Sequence, residues 1–79
     1  MRGYNFLREG DLERATLEII AHYQAMTTTD IWYELGEDER FKGVISRPEV
    51  EEALSRLEEQ QLINQGQDDK WRVCELRQH

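Results

Sequence analysis

From Asp11 to Met26 the apolar residues Leu12, Ala15, Ile19, Ile20, Tyr23 and Met26, with Thr16 among them, recur at helical steps. That spacing collects them on one broad face of a helix. Asp11 has an N-cap side chain, and neither Gly nor Pro interrupts the run. Glu13, Arg14, Glu18 and Ala25 fall on the opposite, solvated side. Leu17 falls outside the stripe, on the flank near Gln24, so it is either covered by Tyr4, Phe6 and Leu7 of the N-terminal arm or used as a dimer contact.

The β-branched run Thr27-Thr28-Thr29 predicts a short extended segment leading into an N-cap. A second helix is expected from about Asp30 to Leu35, burying Ile31 and Leu35 at i and i+4 and stopped by Gly36. Trp32 and Tyr33 cannot both share the face of Ile31, which leaves one of them partly exposed. A charged connection follows, whose apolar residues Phe41, Val44 and Ile45 have to tuck back onto the domain. Ser46-Arg47-Pro48-Glu49 has the form of a capping box, with proline in the first turn where its missing N–H goes unused. The third helix then runs to about Gln60 with Val50, Ala53, Leu54 and Leu57 inward. Leu62 to Gln67 and Lys70 to Cys74 read as two short strands around Asp68-Asp69, a hairpin in which Trp71 and Val73 share one face.

Seventy-nine residues suffice for one core and no second one. The expected divisions are an arm over 1–10, a domain over 11–75 and a tail over 76–79. No apolar run reaches the ~20 residues that span a bilayer. The first residues form no hydrophobic signal region, and Arg2 stands where myristoylation requires Gly, so the expected compartment is the cytoplasm. The lone Cys74 excludes an internal disulfide. Seventeen acidic against ten basic residues give a net charge of −7, which opposes indiscriminate nucleic-acid binding.

The order helix, short strand, helix, helix, hairpin resembles the winged helix-turn-helix superfamily over roughly Leu12 to Cys74. The residues carrying the likeness are Thr28-Thr29-Asp30-Ile31 with Leu35-Gly36, then Ile45-Ser46-Arg47-Pro48 leading to Val50 and Ala53-Leu54, then Leu57 to Ile63. The general spacing is similar to PadR-like and penicillinase-repressor-like small domains. The resemblance implies an α+β fold of three helices and a C-terminal β-hairpin wing. It also implies duplex DNA as partner, with the third helix in the major groove and the wing on phosphates. Three features depart from the pattern. Gly36 to Ser46 is longer than a compact turn, only five residues follow Cys74, and Gln61 stands where such sequences place Gly, which predicts a less sharply turned junction.

The outward face of the third helix, centred on Pro48, Glu51, Glu52, Ser55 and Glu59, fits DNA poorly. Arg47 to Gln60 holds two basic and five acidic residues, a net of −3, and glutamate has one useful base contact, accepting from cytosine N4. Arg40, Lys42 and Arg47 form a locally basic stretch, joined on the wing by Lys70 and Arg72. The first reading is therefore DNA-linked regulation, with Arg47 and Arg56 toward the groove and Arg40, Lys42, Lys70 and Arg72 on phosphates. The alternative is a protein-interaction adaptor or homodimer. There Leu17, Trp32 and Tyr33 serve as anchors and Glu51, Glu52 and Glu59 as an acidic contact face. For Trp32 core packing is the plainer role, and Trp71 is expected in the core. No phosphate loop, Cys/His cluster or nucleophile with a nearby His marks an enzyme, and no cofactor, metal or small-molecule site is expected.

Overall fold

The computed structural model describes residues 9–74; the arm residues Tyr4, Phe6 and Leu7 and the tail 76–79 lie outside them. The elements are α1 (Glu9–Tyr23), α2 (Thr28–Glu37), α3 (Arg47–Glu59), β1 (Ile63–Gln65) and β2 (Trp71–Val73). The class is α+β. The three helices bury one core of Ala15, Ile20, Ile31, Leu35, Val50, Leu54 and Leu57, to which the sheet adds Ile63 and Trp71. β1 and β2 pair antiparallel, with Ile63 opposite Val73 and Gln65 opposite Trp71.

α1 starts before Asp11 and ends before Met26, so Asp11 is a helical residue and not the N-cap. At its end the chain passes through a left-handed conformation at Gln24 (φ 76°). This turn delivers Met26 to the sheet edge, where its backbone exchanges both hydrogen bonds with Trp71 (3.2 and 2.6 Å). Met26 is buried as the periodicity requires, but in a β-bridge. Tyr23, expected on the buried stripe, is 50% exposed. Glu13, expected in solvent, is half-buried and paired with Arg56.

Extended backbone in the threonine run is confined to Thr27, which caps α2. Its hydroxyl accepts from Asp30 N–H at 3.1 Å and its own N–H donates to the Asp30 carboxylate at 3.4 Å. Asp30 thus serves where a capping box ordinarily has Glu or Gln, and α2 begins two residues earlier than expected. Gly36 does not stop the helix; it lies inside α2, and the turn comes at Asp38. A glycine raises the cost of a helical residue by about 1 kcal/mol, which the neighbouring burial of Leu35 offsets.

Residues 38–46 connect α2 to α3 and are folded by successive turns, Phe41 N–H to Asp38 O and Val44 N–H to Phe41 O, both 3.0 Å, with Gly43 supplying a positive φ of 75°. Phe41 enters the core and Ile45 packs against it, whereas Val44 points outward, half-exposed. At α3 the Glu49 carboxylate accepts from both Ser46 N–H (2.8 Å) and Ser46 Oγ–H (3.1 Å). Val50, Ala53, Leu54 and Leu57 face inward as expected.

The junction after α3 is turned as sharply as a glycine would allow. Gln61 adopts φ 65°, its N–H donates to Glu58 O (2.9 Å) and Leu62 N–H to Leu57 O (3.0 Å), the pair of bonds that defines a Schellman cap. A side chain in this region is strained. Gln61→Gly should therefore raise the unfolding free energy by about 0.5–1 kcal/mol, measured by chemical denaturation, because the native φ outweighs the added freedom of the unfolded chain. A destabilised variant would contradict the strain.

Candidate functional site

The six basic residues singled out by the sequence are held in different ways. Arg40 is clamped by Asp38: Nε donates to Oδ1 and Nη2 to Oδ2, both at 3.1 Å. The geometry arises because the Asp38 carboxylate also accepts from Arg40 N–H at the turn (2.9 Å). Hydrogen bonding from Arg40 holds the Asp38 carboxyl below its ordinary range, and Glu18 and Asp11 of α1 add to the negative field on the guanidinium. Arg40 thus looks toward α1, with its guanidinium 5.1 Å from the Phe41 ring centre.

Arg47, in the first turn of α3, donates to Glu51 one turn on (3.3 Å) and to Thr29 Oγ1 on α2 (2.8 Å). Its guanidinium lies 6.0 Å from the Trp32 ring centre. Arg56 reaches Glu13 of α1 at 3.2 Å and Glu52 of its own helix at 3.6 Å, joining α3 to α1. On the hairpin, Arg72 meets Asp68 at 2.8 and 3.3 Å. A Cβ at Gly66 would stand 2.7 Å from Arg72 Nη1, so the absent side chain makes room for this clamp. Hydrogen bonds from Arg72 and then from Lys70 N–H lower the Asp68 carboxyl to about 2. Its charge therefore persists until the pH falls toward that value, and Arg72 stays neutralised at every milder pH. Lys42 and Lys70 are exposed and form no ion pair among the described residues.

The arginines consequently belong to separate clusters: Arg40 with the connection and α1, Arg47 with α2, Arg56 with α1, Arg72 with the hairpin turn. Each brings its own carboxylate. Sequence reading found the basic residues and missed the acids, since Asp38 and Asp68 read as loop charges and Glu13 lies 43 residues from Arg56. No family model, curated protein or solved structure matches the chain.

The anchors proposed for protein contact also separate. Leu17 is half-buried and packs against the core cluster. Trp32 is 38% exposed, and its indole N–H donates to Ile45 O at 3.1 Å, so it is a surface strut pinning the connection to α2. Tyr33 is 67% exposed. Both aromatics lie at the surface, where the periodicity required only one. Glu51, Glu52 and Glu59 are exposed, as are Pro48, Ser55 and Glu58. Among the described residues no helix is long and apolar enough to cross a membrane.

Proposed function

We propose that the chain is a non-enzymatic winged-helix domain that acts by binding a basic protein partner through the outward, acidic face of α3. The winged-helix reading is supported by the element order and by the single-residue bridge of Met26, which lies beside β2 where the resemblance expects a short strand. The observation that carries the choice of partner is the pairing of the arginines. Surface ion pairs are worth only ~0–1 kcal/mol, so breaking them would not prevent DNA binding. What opposes it is the carboxylate left beside each guanidinium. Well within a Debye length of ~10 Å, an Arg with its Asp or Glu presents a phosphate with almost no net charge. The same pairing offsets Glu51 and Glu52, so what favours cations is the excess that remains, a net of −3 over Arg47 to Gln60 with Glu58 and Glu59 exposed and in no ion pair among the described residues.

Lys42 and Lys70 favour the DNA-linked alternative, because they are exposed and form no ion pair among the described residues. Anisotropy with a mixed-sequence duplex separates the two readings. The expected result is no binding by the natural sequence at low salt and salt-sensitive binding once Glu51, Glu52 and Glu59 are all replaced by Lys. Binding by the unaltered chain would decide for DNA, provided that its logarithmic salt slope flattens by about one unit in Lys42→Ala or Lys70→Ala.

A further inference from the structure

The surface between α1 and α2 shares no residue with α3 and carries both tyrosines of the described residues, Tyr23 and Tyr33, exposed to 50% and 67%. Both line one concavity of about 230 Å³, together with Ala25, Met26, Asp30 and Glu34. Tyr23 and Glu34 also border a second hollow of about 330 Å³, where Ile19 and His22 meet the carboxylates of Glu18 and Glu37. The ridge between the two hollows is the hydrogen bond from Tyr23 Oη to Glu34 Oε1, at 3.3 Å. The charge of Glu34 raises the Tyr23 phenol above its ordinary value, so the hydroxyl stays a donor and Glu34 stays the acceptor.

An aromatic trough of this kind is defined by what its rim admits. Among the described residues no Lys or Arg lines either hollow; Asp38, at the edge of the second, is held by Arg40. Beside apolar Ile19, Ala25 and Met26 and the His22 ring 4.8 Å from Tyr23, the charged groups lining the hollows are carboxylates, and the whole chain carries −7. A second copy would bring the same acids to a self-complementary contact, and nucleic acid would bring phosphates; both are repelled. A guanidinium, in contrast, can donate to the remaining lone pairs of the Glu34 carboxylate while its plane lies on a tyrosine face, two interactions that reinforce each other when water is displaced.

We propose that this trough binds an arginine-rich segment of a partner protein, with Glu34 as the acceptor and Tyr23 and Tyr33 as stacking walls. The contact is independent of how α3 is used. An arginine-rich peptide titrated into the ¹⁵N-labelled chain should shift amides around Ala25, Asp30, Tyr33 and Glu34. Glu34→Gln and Tyr33→Ala should each weaken binding about tenfold, and Asp69→Asn, exposed on the hairpin turn, should leave it within about twofold; loss in Glu51→Gln or Glu52→Gln is the outcome expected of the α3 face instead. Thermal melts of the variants establish that they fold. Shifts centred on α3, with loss in the α3 variants, would overturn the trough and leave the α3 contact standing. Equal binding of a lysine-rich peptide, unaffected by Tyr33→Ala, or no binding at low salt, would overturn it as well.

Discussion

Phe41→Ala should lower the free energy of unfolding by about 3–5 kcal/mol, read from urea denaturation at constant slope. For a domain of this size the total is roughly 4–12 kcal/mol, at ~0.05–0.15 kcal/mol per residue, so the variant loses a large share of its stability. The magnitude follows from where Phe41 comes from. Its side chain is 1% exposed and belongs to the core, yet its backbone lies in the connection between α2 and α3. Neighbours fixed on helices cannot follow a retreating loop, so the cavity persists and its walls lose dispersion contacts. Phe41→Leu should lose less than about 1.5 kcal/mol, because most of the volume is kept. A loss below about 1 kcal/mol for the alanine variant would show that the connection is not anchored by this ring. The anchor also bears on function, since Arg40 and Lys42 flank it and owe their placement to it.

The inward faces of α2 and α3 were legible in the sequence because burial there follows the 3.6-residue period. Ile31, Leu35, Val50, Ala53, Leu54 and Leu57 are all buried. What the period could not convey is where an apolar residue leaves a helix for another element. Met26 continues the stripe of α1 in sequence and is buried in the structure, but by a bridge to a residue 45 positions later. Gly36 and Gln61 show the complementary failure: a glycine inside a helix and a glutamine in a left-handed cap. Turn chemistry states what a position prefers, and the free energy of packing around it decides what it adopts. The candidate site was legible to the same depth. Its charged residues could be named, but Asp38, Glu13 and Asp68 become partners only once the chain is folded.

That distinction changes how an acidic protein with a basic minority is understood. Along the sequence, Arg40, Lys42, Arg47, Lys70 and Arg72 suggest a patch. In the fold, three of these five are matched to carboxylates within 3.3 Å. Of these five, Lys42 and Lys70 alone keep a positive charge with no ion pair among the described residues, while α3 and the trough between α1 and α2 expose carboxylates. The long-range field that a partner meets is set by this remainder. A basic partner is consistent with both exposed acidic surfaces, and its encounter rate should fall as salt rises.

Trp71→Ala should be comparable in size to the loss at Phe41, about 3–5 kcal/mol, and should act on the hairpin first. Trp71 is 7% exposed and joins four parts of the molecule. Its backbone pairs with Met26 on one side and Gln65 on the other, its ring belongs to the core shared with the helices, and its indole N–H donates to Thr28 Oγ1 on α2 at 3.0 Å. Trp71→Phe separates these contributions. It keeps most of the apolar area and removes the hydrogen bond, so about 1 kcal/mol should be lost beyond the packing change. In that background Thr28→Ala should add less than it does in the natural sequence, the coupling that a double-mutant cycle measures. Additive effects would mean that the Thr28 bond contributes nothing. Because Lys70 and Arg72 flank Trp71, hydrogen exchange should report opening of the hairpin before α2 and α3 in the alanine variant. Simultaneous opening of all elements would instead make Trp71 a support of the whole domain, and the hairpin could not then be altered without altering the acidic face of α3.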